Sequence, residues 1–181
     1  ISLGLVGSEM CIRDRYGLRV GQILITVSDT IAPQQYRNVR RTLDRLLDLG
    51  AVPIINENDS LASNEIRFGD NDRLSALIAN IVVADALVLL TDVDALYTAP
   101  PSQPGSRRVE YVPNVIDALG DIQVSGSGSK VGTGGMVTKL RAAAIATAAG
   151  CEMVIANGEK PELLYDIVAG KPIGTRFLVK R

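Results

Sequence analysis

The chain has 181 residues, 46% apolar and 22% charged, with a formal net charge of −1. That is the composition of an ordinary globular domain, and it offers no broad basic surface, so nucleic acid is not expected as a partner. Histidine is absent and only two cysteines occur, Cys11 and Cys151, which removes Ser-His-Asp triads, histidine metal sites and a disulfide framework.

The opening "ISLGLVGSEMCIRDR" lacks a basic n-region, and its charges come after the apolar part, unlike a signal peptide. Residues 1 to about 15 read as suspect sequence, either an ordinary strand and turn or an assembly or reading-frame artefact. No run approaches the roughly 18 apolar residues of a membrane span. A reducing cytoplasm fits the cysteine usage best.

From Gly17 onward, β-branched and aliphatic runs alternate with helical patterns. "VGQILITVSD" reads as a strand. "YRNVRRTLDRLLDLG" reads as a helix with Val39, Leu43, Leu46 and Leu47 on one face and Gly50 as its stop. "AVPIINEND" is the next strand and loop, and "NDRLSALIANIVVAD" has helical spacing at Leu74, Leu77, Ile78 and Ile81. "ALVLLTD" is continuous enough to predict a strand buried on both faces. "TAPPSQPGSRR" predicts an exposed excursion. Next come a short helix near "NVIDAL", a glycine loop, an alanine-rich helix, the strand "EMVIANG", the helix "PELLYDIVAG" and a strand near "GTRFLV". This alternation predicts an α/β fold with a mainly parallel sheet and helices on both faces.

Ligands in such folds bind beyond the carboxyl ends of strands, and three predicted strands end in polar residues. One runs into Asn56, Glu57, Asn58 and Asp59, one into Thr91 and Asp92, one into Asn157 and Gly158. "NENDS" is either a turn that satisfies its own backbone or a set of acids and amides able to hold a zwitterion. In "GDNDR", Asp70 could be an N-cap and Asp72 a first-turn acid, or both could line the same edge as Asn56. Thr91 and Asp92 either cap the next turn of the chain or suit a nucleotide pocket.

"VGTGGMVTKL" places Lys139 in what reads as the first turn of a helix, where the positive end of the macrodipole repels it. An anion between the two would remove the conflict. The spacing is not that of a Walker A loop, yet glycines that admit close backbone approach, helix-start amides and a lysine are the parts of a phosphate site. The plain alternative is a loop before a helix.

Together "VGQILIT", "YRNVRRTLDRLL", "VPIINENDS", "FGDNDRLSAL", "LLTDVDALY", "GTGGMVTKLRAA" and "GTRF" resemble the amino-acid kinase family from about Gly17 to Phe177. "INEND" with "GDND" after it resembles, within that family, the members acting on glutamate rather than acetylglutamate, uridylate, aspartate or carbamate. The resemblance implies a three-layer sandwich and phosphoryl transfer from ATP, with Mg2+ carried by the nucleotide, to the side-chain carboxylate of L-glutamate, the first step of proline synthesis. It implies glutamate binding by Asp59 and Asn71, with Asn56 and Asp70 beside them. It implies ATP contacts from Thr91, Asp92 and the loop Thr133, Gly134, Gly135, Met136, Val137, Thr138 and Lys139. Lys139 would stabilise the transferred phosphoryl group, and Asp72 would orient lysines. A homo-oligomeric full-length protein and proline as feedback inhibitor belong to the same implication.

The chain departs from the family pattern at its start. Members begin with a glycine-rich turn carrying another phosphate-binding lysine and a strand with a Ser-Gly-Ala loop, and many append an RNA-binding-like PUA module. Residues 1–15 are thus expected to be a non-family segment and residues 16–181 a partial kinase domain, its C-terminal two-thirds, without that module and inactive by itself. A noncatalytic nucleotide-binding or regulatory module, and a kinase for another acid, are the alternatives.

Overall fold

The computed structural model describes residues 15–58, 70–99, 102–119 and 134–179. It divides into two compact units, Ile1–Leu74 and Ser75–Arg181.

In the first unit, β1 (Arg19–Ile25) and β2 (Ala51–Glu57) pair in parallel, from Arg19 opposite Ala51 to Ile25 opposite Glu57. The strand reading over "VGQILITVSD" ends early. The backbone N–H and hydroxyl of Thr26 both donate to the Asp29 carboxylate, at 2.7 and 2.8 Å, and start a one-turn helix, α1 (Val27–Ile31). The local reason is side-chain competition: Thr and Asp three apart can tie the backbone into a helix start, which outweighs the strand preference of Val27. Helix α2 (Pro33–Asp48) opens on a proline, whose missing N–H costs nothing at the first helical position. Leu43 is fully buried and Leu46 lies so close to β1 that a Cβ on Gly21 would meet it at 3.1 Å. Leu47, expected on that face, is 50% exposed, because it falls about 100° round the helix from Leu46. Gly50 ends the helix at φ +65°, as its position predicts.

Helix α3 (Asn71–Ile81) carries the chain from one unit into the other. In the second unit the strand order is β3 (Ala86–Thr91), β7 (Glu152–Asn157), β8 (Thr175–Phe177), β6 (Tyr111–Val112). β3 with β7 and β6 with β8 are parallel, while β7 with β8 is antiparallel. A separate two-residue hairpin, β4 (Leu96–Tyr97) with β5 (Arg108–Val109), brackets the proline-rich excursion. A helical turn over 115–119, here α4, matches the expected short helix. Helices α5 (Gly134–Ala148) and α6 (Leu163–Val168) complete the unit.

The alternation of side chains along β7 explains its layers. Met153 and Ile155 join Leu89, Phe177 and the buried faces of α3 and α5, including Ala76, Leu140, Ala143 and Ala146. Val154 and Ala156 point the other way and pack with Ile167 of α6, Val88, Leu163 and Ile173. Helices therefore cover both faces of this sheet, as the sequence pattern predicts. The strand buried on both faces is β7, whose four central residues are all buried, rather than β3, where Leu90 is 40% exposed. An apolar run in sequence cannot tell a central strand from its neighbour, because that depends on pairing order.

Two residues of "IGTRF" fix β8. Gly174 has φ +69°, and a Cβ there would collide with the Ile155 carbonyl oxygen, so only glycine lets the chain approach β7 this closely as it enters β8. Thr175 is fully buried; its hydroxyl donates to the Val109 carbonyl at 2.6 Å and accepts from the Leu96 N–H at 2.8 Å. Both polar groups are satisfied, and the β4–β5 hairpin is thereby anchored to the sheet.

Candidate functional site

The carboxyl ends of β3 and β7 lie level, with Thr91 opposite Asn157. Beyond them the Thr91 hydroxyl donates to the Asp92 carboxylate at 2.8 Å. That hydrogen bond, with a smaller contribution from the positive charge of Lys139, holds the Asp92 carboxyl below its ordinary range, against an opposing effect of desolvation. Asp92 is exposed and Thr91 and Lys139 half-buried, so a charged pair of groups faces solvent where two strands end.

Lys139 reaches this corner from α5. Among the described residues the helix runs from Gly134, so Lys139 lies beyond the first turn, not in it. The helix takes up Gly134 and Gly135 despite their poor propensity, because Leu140, Ala143 and Ala146 are all fully buried in the core, and that packing anchors the helix. The conflict between the lysine and the macrodipole is correspondingly milder, since the dipole's charge is concentrated at the first turn. Gly135 is exposed, Met136, Val137 and Thr138 are half-buried, and the Thr138 hydroxyl donates to the Gly135 carbonyl at 2.8 Å. The first turn of α5 thus begins with two residues that have no side chain to obstruct access to its amides. Thr133 lies outside the described residues.

The residues matched to glutamate belong to the first unit. Asn56 and Glu57 end β2, and the Asn58 N–H donates to the Ile25 carbonyl at 2.8 Å, which ties that end to β1. Asp59 lies outside the described residues. Asp70 accepts the Arg73 N–H at 2.8 Å, so the N-cap reading of "GDND" holds for this residue. Asn71 is exposed at the first position of α3, and Asp72 is half-buried in its first turn. No group of three or more carboxylate or thiol side chains suited to a metal occurs among the described residues. Nor, among them, is any helix long and apolar enough to cross a membrane.

Sequence reasoning puts Asn157 and Gly158 at this edge without giving them a task. The Gly158 N–H donates to the Thr91 carbonyl at 2.7 Å, and the Asn157 side-chain oxygen accepts the Glu159 N–H at 2.7 Å. An Asn-Gly pair directly after an apolar strand is the available signal. Thr175 carries no such signal, since only tertiary pairing shows what its hydroxyl joins.

A family model described as the amino acid kinase family matches residues 8–157. The chain belongs to the amino acid kinase family. Among curated proteins it is 76% identical over 165 residues to the glutamate 5-kinase of Bifidobacterium adolescentis, covering 90% of this chain and 42% of that protein. It is 57% identical over 162 residues to the glutamate 5-kinase of Cutibacterium acnes, covering 90% of this chain and 40% of that protein. The chain therefore spans well under half the length of these amino acid kinase relatives. Among solved structures, carbamate kinase from Giardia lamblia bound to AMP-PNP superposes with a TM-score of 0.67 at 19% identity, over 98% of this chain and 70% of that one. UMP kinase from Bacillus anthracis gives 0.65 at 17% identity, over 99% and 68%. At such low identity these two structures speak for the fold, the α/β sandwich of the family.

Proposed function

We propose that the protein carrying this sequence transfers the terminal phosphoryl group of ATP to the side-chain carboxylate of L-glutamate, giving L-glutamyl 5-phosphate for proline synthesis. The observation that carries the choice of acceptor is the 76% identity to a glutamate 5-kinase over 90% of the chain. The site chemistry of the second unit supports the choice of reaction. Phosphoryl transfer to a carboxylate needs no base, because the nucleophile is already ionised; it needs alignment, cations and oriented amides. Lys139 is a cation in this reading, compensating charge on the transferred group, while the amides of Gly134, Gly135 and Met136 hold phosphate oxygens, with Thr133, Val137 and Thr138 also contacting ATP. Thr91 and Asp92 contact the nucleotide. Mg2+ arrives with the nucleotide's phosphates.

On the acceptor side, Asp59 takes the ammonium of glutamate, Asn71 offers amide donors, and Asn56 and Asp70 stand beside them. Asp72 orients lysines. Proline as a feedback inhibitor and a homo-oligomeric whole protein come from the same family resemblance, and a cytoplasmic location from the sparse cysteine usage. The test is an ADP-release assay on the full-length protein with MgATP and a panel of acids. Glutamate-dependent turnover is expected; turnover with another acid and none with glutamate would overturn the assignment.

A further inference from the structure

Because Thr91 and Asn157 are register partners at the ends of parallel strands, the residue after Asn157 falls beside the Thr91–Asp92 corner. That residue is Gly158. Its N–H donates to the Thr91 carbonyl at 2.7 Å, one step beyond the last strand pair. A Cβ at Gly158 would stand 3.3 Å from the Leu90 carbonyl carbon and 3.3 Å from the Thr91 nitrogen. Both are backbone atoms, which cannot rotate aside as a side-chain end can, so a side chain here would push the end of β7 away from β3 by a few tenths of an ångström. The glycine is needed for space and not for an unusual φ, which distinguishes it from Gly150, Gly170 and Gly174. Asn157 fixes the turn that presents the Gly158 amide, through its 2.7 Å bond from the Glu159 N–H. Thr91 in turn donates to Asp92 at 2.8 Å.

We propose that Gly158, assisted by Asn157, is a positioning residue for nucleotide binding, setting the Thr91–Asp92 corner from behind through the Thr91 backbone. This rests on the reading of Thr91 and Asp92 as ATP contacts. Neither residue needs to touch the nucleotide. Gly158 acts by the bond it donates and by the side chain it lacks, and any shift of the Thr91 backbone carries the hydroxyl and the Asp92 carboxylate with it.

The experiment compares Gly158→Ala and Asn157→Ala with Gly150→Ala in the full-length protein. Gly150, at φ +85° with open space around its Cβ position, precedes the opposite end of β7 and controls for lost stability alone. Two quantities are read: the titration of the Asp92 carboxyl by carbon NMR, and the dissociation constant for MgATP by calorimetry. In Gly158→Ala the Asp92 titration is expected to move up toward the ordinary carboxylate range. MgATP affinity is expected to fall by roughly 3- to 10-fold, as suits a displacement of a few tenths of an ångström where about 1 Å costs about 10²-fold. Asn157→Ala should move both quantities the same way by less, and Gly150→Ala should move neither while lowering the melting temperature. An unchanged Asp92 titration in folded Gly158→Ala overturns the inference; should that variant not fold, an unchanged titration in Asn157→Ala overturns it equally. A full-length parent that binds no MgATP, with Asp92 still moving in Gly158→Ala, supports the positioning role and overturns the nucleotide assignment instead.

Discussion

Replacing Thr175 by valine keeps the shape of a fully buried side chain and removes its hydroxyl. In the parent that hydroxyl donates to the Val109 carbonyl at 2.6 Å and accepts from the Leu96 N–H at 2.8 Å. Valine leaves no cavity, so the cost is that of two backbone groups losing their partner, about 1–3 kcal/mol for each buried group left unsatisfied. Partial relaxation of the short β4–β5 hairpin toward water lowers the sum, which gives an expected loss of about 2–4 kcal/mol. For a unit of this size that corresponds to a fall in melting temperature of roughly 8–16 °C. With no tryptophan in the chain, far-UV circular dichroism in a urea series is the direct assay. Thr175→Ser is the control: it retains the hydroxyl and loses one methyl, at about 1 kcal/mol. If valine costs less than serine does, the hydroxyl is not what joins the hairpin to β8, and the packing of this segment has to be explained otherwise.

In the full-length protein, Lys139→Ala should lower turnover by about 10²- to 10³-fold, the usual consequence of removing one preorganised charge stabiliser. A steady-state assay within twofold of the parent would refute its role. Asp59→Asn should raise the KM for glutamate far more than that for ATP; an equal effect on both would contradict the acceptor assignment. Thr91→Val removes the largest influence that keeps the Asp92 carboxyl low. Because that pKa is depressed in the folded protein, its favourable contribution is present above the ordinary carboxylate range and is lost as pH falls through the lowered value. In the valine variant the NMR titration of Asp92 should move up toward the ordinary range, and an unmoved titration would assign the effect elsewhere. Val83 is 65% exposed at φ 54°, closing α3 with hydrogen bonds from Val83 N–H to Asn80 and from Ala84 N–H to Ala79. Glycine there should relieve about 1–2 kcal/mol of left-handed strain while adding about 0.5–1 kcal/mol of unfolded-chain entropy, a net gain of about 0.5–1 kcal/mol by urea denaturation.

Periodicity alone located most of the helices and strands, because Leu43, Leu74 and Ile81 are spaced for burial and Gly50 demands a stop. The placement of Asn56, Thr91 and Asn157 at strand ends, with Asp92 just beyond, was also legible, since polar groups directly follow apolar runs there. Motif order was enough to point to the amino acid kinase family, and "INEND" with "GDND" to glutamate. What short-range pattern could not supply depends on partners distant in sequence. Glycines discouraged a helix at Gly134, yet the burial of Leu140, Ala143 and Ala146 extends α5 back over them and moves Lys139 beyond the first turn. Thr26 and Asp29 ended a strand that looked continuous, through two hydrogen bonds that compete with the ladder. The central place of β7, the close approach of Gly174 to β7, the anchoring hydroxyl of Thr175 and the support that Gly158 gives Thr91 exist only once strands far apart in the chain are paired. Sequence thus determined which polar residues follow apolar runs and so stand at strand ends; tertiary pairing decided which of them come together, because register and close backbone approach are properties of two strands and are carried by neither alone.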